Sequence, residues 1–322
     1  RQTMPNFWIG LVPYAATVNV GNTRTGWLLA DNPAMLYAQG GSWKGCVEAR
    51  NPPYEEAEAE ALPAVAKWRR FYWASNKDKI YKNSKGKVYP PDNPWPSIVE
   101  PTAAGNDARG PNLGCPPPIT PLQASKQTAL TAISNMGPWS RGGTMGNLGL
   151  AWGWRVLSPN WRGMWGGSTP ATLPMDYHTP LMDKVIVMLT DGVNEWYDYP
   201  GYAPGCAGID NCPSTNQNSA NIPQDADYTA YGRLSEGRVG STNNSTATGI
   251  INSRMTTLCT ALKQKGVIIY TIVLQVNNAA TQQLYENCAS KPEYYFLSPT
   301  AADLSAIFRQ IATQLSNLRL AR

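Results

Sequence analysis

No stretch of this 322-residue sequence approaches the ~20 consecutive apolar positions of a membrane-spanning helix, and no leader pattern of charged, apolar and small residues opens it. Histidine occurs once, as His178, and no cysteines form a Cys-x-x-Cys pair, so the usual Cys/His recipes for zinc are out of reach. A Gly-Lys-Ser/Thr ending is missing, which excludes a phosphate-binding Walker loop. Gly-x-Ser-x-Gly is missing too, and with a single imidazole this leaves a Ser-His-Asp hydrolase one candidate base and no nucleophile motif. Phenylalanine is scarce, at 4 against 12 tryptophans and 16 tyrosines. Most rings therefore carry a polar handle, suited to packing loops onto a core or to half-exposed positions. Charge of one sign is not concentrated either. The net charge of +5 is scattered apart from Lys67, Arg69, Arg70 and then a cluster of Lys77, Lys79, Lys82, Lys85 and Lys87 that reads as solvated, and nucleic acid is not an expected partner.

What the chain has is length for one large or two ordinary domains, and 42% hydrophobic residues to fill a core. It also has six cysteines, Cys46, Cys115, Cys206, Cys212, Cys259 and Cys288. Local context favours Cys206 with Cys212 in one small loop, Cys259 with Cys288 between consecutive elements, and Cys46 with Cys115 closing a long excursion. Disulfides imply an extracellular or periplasmic compartment. The competing reading is unpaired, buried thiols in a cytosolic protein. The sequence starts at Arg1 and runs almost at once into strand-like residues 7–12, from which a processed or partly observed chain is expected.

Residues 185–192, Val-Ile-Val-Met-Leu-Thr-Asp-Gly, organise the rest. An uninterrupted apolar run rich in β-branched residues is what a strand needs inside a parallel sheet covered on both faces. It ends in a hydroxyl, a carboxylate and a turn, at the strand end where open α/β sheets keep their ligand sites. Asp191 is thus the first functional candidate; the plainer reading is that Asp-Gly only begins a turn.

In chain order, residues 7–14 and 16–20 read as two strands joined through Pro13. From 40 to 118 the composition turns to Pro, Gly, Asn and charge, with one helix-like piece at 54–73 that Pro63 interrupts. Its acidic run Glu55, Glu56, Glu58, Glu60 reads as a solvated helical face rather than a metal cluster. Residues 119–136 resume regular structure, with Leu122, Ala129, Leu130 and Ile133 marking a helix. In Gly142-Gly-Thr144 the glycines allow a sharp turn that presents the Thr144 hydroxyl from a loop, with a helix starting after it. Helices are expected at 245–265, 279–288 and 301–320, strands at 267–274 and 294–297, and a polar excursion at 194–243. This alternation predicts a parallel sheet with helices on both faces.

Gly142-Gly-Thr144, the run 185–192 and Gly266-Val-Ile-Ile-Tyr-Thr-Ile272 together resemble a von Willebrand factor A domain. Several segments more narrowly resemble the TadG family of the bacterial tight-adherence (Tad) pilus apparatus. These are Ile9-Gly-Leu-Val-Pro-Tyr-Ala-Ala-Thr-Val-Asn-Val-Gly21, Gly45-Cys-Val-Glu-Ala-Arg50, Leu150-Ala-Trp-Gly-Trp-Arg-Val-Leu-Ser-Pro159 and Ile186-Val-Met-Leu-Thr-Asp-Gly192. The ending is similar too, from Leu258-Cys259 through Cys288-Ala-Ser290 to Leu318-Arg-Leu320. The resemblance implies a Rossmann-like α/β sheet carrying long, disulfide-closed insertions. The core would comprise residues 1–39, 119–192 and 244–322, with insertions at 40–118 and 193–243. It also implies a metal-ion-dependent adhesion site, made by an Asp-x-Ser-x-Ser loop after the first strand, a threonine of a Gly-Gly-Thr loop and an aspartate ending the central strand. Thr144 and Asp191 match the second and third parts. No Asp-x-Ser-x-Ser occurs, so that strand and loop, with the family's membrane anchor, are expected before Arg1. Magnesium wants about six oxygens; Mg or Ca is therefore expected only at an incomplete site, empty in this chain.

The function implied is a non-catalytic adhesion or assembly protein of a bacterial pilus or cell envelope. Its expected partners are envelope proteins, with surface carbohydrate a further candidate. The alternative is a secreted carbohydrate-binding or glycoside-processing protein that uses loops around Trp139, Trp152, Trp154, Trp161 and Trp165, where paired carboxylates would do the chemistry.

Overall fold

A computed structural model describes residues 6–38, 40–55, 59–75, 81–82, 88–89, 93, 95, 97–100, 108–137, 139, 141–196, 227–298 and 300–320. The elements in chain order are β1 (Ile9–Leu11), β2 (Val18–Asn19), α1 (Pro33–Leu36), β3 (Cys46–Val47), β4 (Tyr81–Lys82), β5 (Val88–Tyr89), β6 (Thr120–Gln123), α2 (Lys126–Ser134), α3 (Gly146–Leu157), β7 (Val185–Thr190), α4 (Asn244–Gln264), β8 (Ile268–Leu274), α5 (Ala279–Cys288), β9 (Tyr295–Ser298) and α6 (Leu304–Leu320).

The most apolar runs make the parallel sheet. β7, β8 and β9 pair in that order, with Val185 opposite Ile268, Thr190 opposite Val273 and Thr271 opposite Tyr295. Strand side chains alternate between faces, and helices cover both. Ile186, Met188, Ile269 and Val273 meet Leu150 and Trp154 of α3, Met255, Leu258 and Leu262 of α4, and Leu284 and Tyr285 of α5. On the other face Tyr270 and Ile272 meet Ile307 and Ile311 of α6. Asparagines start two of these helices: Asn243 accepts from Thr246 N and Asn278 from Thr281 N, satisfying amides that have no partner within the helix. The class is therefore mixed α/β with a three-stranded parallel sheet among the described residues. The pairs β1–β6, β2–β3 and β4–β5 are separate two-stranded antiparallel sheets.

Two disulfides join Cys46 with Cys115 and Cys259 with Cys288. Cys206 and Cys212 lie outside the described residues.

Several expectations are corrected. The helix at 54–73 is not formed among the described residues, which there make turns and short bridges from Leu28 to Trp68 and from Val47 to Arg70. Its acidic side chains are not a solvated face. Glu55 is buried, accepting from Asn147 Nδ2 at 3.3 Å and pairing with Arg254 at 2.7 Å, and Glu60 accepts from Tyr177 and Ser158 hydroxyls. Partnered carboxylates outcompete a helix that Pro63 already interrupts. Glu56 and Glu58 lie outside the described residues. Leu122 belongs to strand β6, while Leu130 and Ile133 are about half exposed; Ala129 alone marks the buried side of α2. In α6, where the spacing puts Leu304, Phe308, Ile311, Leu315 and Leu318 on one face, Ile311 is buried as expected, together with Ile307, while Phe308 is 46% exposed.

The tryptophans build a second core beside the sheet. Trp27, Trp68, Trp152, Trp161 and Trp165 pack ring against ring at centroid distances of 5.0 to 6.4 Å, all buried. Their polar handles fasten loops: Trp161 Nε1 donates to Glu60 O at 3.0 Å and Trp165 Nε1 to Arg155 O at 3.3 Å. Arg155 lies 4.5 Å over the Trp152 ring and donates to Ala59 O at 2.7 Å, which ties the 40–118 stretch to α3. Burial, and then the nearby Arg50, hold its guanidinium pKa well below the usual value.

Candidate functional site

β7 delivers Asp191 to its carboxyl end, where the chain must turn. The Thr190 hydroxyl donates to Gly192 O at 3.0 Å and accepts from Gly192 N at 3.3 Å, so the turn is braced from within and the Asp191 side chain is left exposed. The following segment is pinned from the other side. Asn194 Oδ1 accepts from Gly146 N at 2.8 Å, and Thr144 and Glu195 exchange two main-chain hydrogen bonds of 3.1 Å each. That exchange straps the glycine loop onto the end of β7.

The loop can take this path because of its glycines. Gly142 and Gly143 have φ of +92° and +85°, a region that side chains disfavour, and a Cβ on Gly142 would stand 2.2 Å from the Ala16 Cβ. Thr144 then reaches the rim: its Oγ1 lies 3.6 Å from where a Cβ on Gly192 would be. Thr144, half-buried, and the turn that carries exposed Asp191 therefore meet at one end of the sheet.

Two tyrosines lie below. The Tyr14 ring rests against Gly149 of α3, and its hydroxyl donates to Leu189 O at 2.6 Å. Burial, followed by the nearby Tyr285, raises the Tyr14 phenol well above its usual value; burial pushes Tyr285 up to about 12. The Asp191 charge adds to both shifts as a minor cause. Tyr14, Asn194, Glu195 and Tyr285 are the rim components that sequence patterns did not single out as site residues. None belongs to a motif whose spacing signals a role, and only the fold brings them together.

Thr144 and Asp191 offer a cation one hydroxyl and one carboxylate, against the about six oxygens that magnesium takes, or six to eight for calcium. No group of three or more His, Cys, Asp or Glu able to hold a metal occurs among the described residues. The two residues by themselves do not fit a resident ion.

The only histidine is far from the rim. His178 packs on Gly266, its Cε1 2.7 Å from that residue's Cβ position, just before β8 starts opposite the first residue of β7. The length of β7, six residues at ~3.3 Å each or about 20 Å, separates it from Asp191. Trp152, Trp154, Trp161 and Trp165 are buried and present no stacking face to a sugar; Trp139 is half-buried. A cavity of about 420 Å³ elsewhere is lined by Leu29, Asp31, Glu48, Arg70, Tyr72 and Tyr228 among others. Of its charged residues, Arg70 pairs with Asp31 and Glu48 with Arg238, while Arg69 is exposed at its edge.

No protein-family model matches the chain, and no curated protein does. Two solved structures of proximal thread matrix protein 1 from the mussel byssus are similar to it. One is 18% identical with a TM-score of 0.28, covering 62% of this chain and 29% of that one. The other is 15% identical with a TM-score of 0.29, covering 59% and 33%. The matched part is thus a third or less of that protein's length.

Proposed function

We propose that this chain is a non-catalytic adhesion or assembly module of a bacterial cell envelope, TadG-like and of the von Willebrand factor A type, that grips a protein partner at the rim around Thr144 and Asp191. The observation that supports this most is the meeting of the Thr144 hydroxyl with the Asp191–Gly192 turn at the carboxyl end of a parallel sheet, the end where such sheets bind ligands. The chain's one imidazole is about 20 Å away, so the rim has groups for holding a partner and no histidine to act as a base. The two disulfides suit an oxidising, extracytoplasmic setting. No helix among the described residues is long and apolar enough to cross a membrane. The reading does not require a divalent cation.

The test is retention of pilus and envelope proteins from a bacterium with a Tad apparatus on the immobilised 322-residue chain. Thr144→Ala and Asp191→Ala are each expected to weaken retention by about 10-fold, equivalent to about 1.4 kcal/mol, with unchanged thermal unfolding. Equal retention by both variants removes the rim from the function. Cleavage of a polysaccharide by the unmodified chain would instead favour the glycoside-processing alternative.

A further inference from the structure

The cavity of about 420 Å³ is framed by extended segments that hold one another. Residues 68–72 run between 27–31 and 46–48: Leu29 N donates to Trp68 O at 2.8 Å, and Glu48 N donates to Arg69 O at 3.0 Å. Cys46, at the head of the last segment, is tied to Cys115. The ring walls are held as well. Tyr72 meets Tyr37 and Trp95 edge-on at centroid distances of 5.4 and 6.0 Å, and Tyr228 meets Phe71 in the same way at 5.3 Å. The space is therefore pre-formed, and its volume falls in the range of small-molecule sites, about 300–1,000 Å³.

Its polar groups are graded from mouth to floor. Glu48 and Arg69 are neighbours across two of these segments, yet their side chains part: Arg69 is exposed at the edge, whereas the Glu48 side chain is only 8% exposed. Glu48 accepts from the Tyr228 hydroxyl and pairs with Arg238 at 2.8 Å, and Asp31 pairs with Arg70. The floor carboxylates thus have their charge balanced. They are not saturated as acceptors, because a carboxylate has about four lone-pair sites and these contacts leave room on Glu48 for a further donor. The rest of the lining is largely apolar, with Leu29, Ala30, Leu36 and the Tyr72 ring.

We infer that this cavity binds a small hydroxylated carboxylate: one carboxylate held by Arg69, an apolar body against Leu29, Leu36 and Tyr72, and a hydroxyl that donates to the Glu48 carboxylate. Guanidinium and carboxylate match in charge and in fork geometry. Other classes fit less of the lining. An inorganic anion would engage Arg69 and leave the apolar wall uncovered, and a plain hydrocarbon acid would bury floor acceptors without giving them a donor. A zwitterion would bring its ammonium to carboxylates whose charge Arg70 and Arg238 already neutralise. The cavity shares no lining residue with the rim around Thr144 and Asp191, so this binding and the retention of envelope proteins succeed or fail separately.

The probe is para-hydroxyphenylacetate, titrated into the 322-residue chain by calorimetry. Saturable binding is expected. Para-methoxyphenylacetate, which has no donor at its far end, and tyrosol, which has no carboxylate, should each bind about 10-fold more weakly. Arg69→Gln should cost about the same factor with unchanged thermal unfolding, while Lys67→Gln, at an exposed cation outside the lining, should cost nothing. Leu29→Trp, which fills the cavity from a position already 44% exposed, should abolish binding. Several results overturn the proposal: no saturable binding; equal binding of the methoxy compound or of tyrosol, which means that one end is not read; undiminished binding by Arg69→Gln; or binding that survives Leu29→Trp, which means that the probe sits elsewhere. Tighter binding of zwitterionic leucine would overturn it too, because the floor would then be reading an ammonium.

Discussion

Arg141 and Asp227 form a two-pronged ion pair shut off from water, with Nε to Oδ2 and Nη2 to Oδ1 both 2.9 Å and side chains 4% and 0% exposed. Asp227 Oδ2 also accepts from Gly142 N at 2.7 Å, so one carboxylate anchors the loop that carries Thr144. Asp227→Ala removes the carboxylate that holds a buried guanidinium with two hydrogen bonds, and the expected loss is about 3–5 kcal/mol. A lower urea midpoint at unchanged slope would show it. Asp227→Asn, which keeps the shape and a hydrogen bond, should lose less.

Gly142 tolerates no side chain. With φ at +92° and the Ala16 Cβ 2.2 Å from where a new Cβ would stand, Gly142→Ala strains the backbone and collides with a packed neighbour. A loss of about 2–3 kcal/mol or more is expected from overpacking and backbone strain together. Gly163→Ala makes the comparison: φ there is +75° with no atom within 4 Å, so only the backbone strain remains and a loss near 1 kcal/mol is expected. Equal thermal shifts for the two would mean that contact with Ala16 is not what fixes the loop.

The parallel strands were legible because a buried strand writes its whole environment into a short apolar run: residues 185–190 and 268–274 have no other stable use. α4 was legible from the helical spacing of Ile251, Met255, Leu258 and Leu262, and Thr144 and Asp191 from the turn chemistry around them. Residues 54–73 read as helix-like from local composition alone, which carries no sign of what holds the charges. Glu55 is committed to Asn147 and Arg254, contacts about 90 and 200 residues away in sequence that no local pattern can report. The Trp cluster was equally hidden, since a tryptophan-rich loop reads alike whether its rings face solvent or each other.

The two disulfides should differ in weight. For separations of 69 and 29 residues, the chain-entropy model gives about 4.4 and about 3.6 kcal/mol. Replacing Cys46 and Cys115 together by Ala is thus expected to cost more than replacing Cys259 and Cys288, as read from denaturant midpoints. The reverse order would point to native packing around α5, not loop closure, as the larger effect.

Trp161 sits at the centre of its cluster, with ring centroids 5.2 Å from Trp27, 5.8 Å from Trp165 and 5.9 Å from both Trp68 and Trp152, and no exposed surface. Trp161→Ala should cost about 3–5 kcal/mol and release the Glu60 carbonyl that its indole holds. Soluble sugars should leave the fluorescence of the buried tryptophans unchanged. Saturable quenching that disappears in Trp152→Phe would revive the stacking-platform alternative.

Lys184 makes stability depend on pH in an unusual direction. Its Nζ donates to Leu157 O at 2.6 Å and lies 5.1 Å from the Tyr177 ring centre. Burial, then Arg162, lower its pKa from the usual 10.5 to about 8 against the smaller opposing pull of Asp176 and Glu60. Between those values the unfolded chain binds more protons at this position than the folded one, so stability rises with pH. The penalty of holding a charged ammonium there is complete below about pH 8 and gone above about 10.5. Tyrosines act oppositely at the upper end, because burial raises Tyr14, Tyr177, Tyr228 and Tyr285 above their unfolded values and stability falls as the unfolded phenols ionise. The measurement that isolates Lys184 is therefore a difference, the unfolding free energy of the unmodified protein minus that of Lys184→Met. It should climb from pH 8 to pH 10 and stay flat from pH 6 to pH 7.5. A difference that falls over the upper range would mean that the ammonium is held by its neighbours and not merely tolerated.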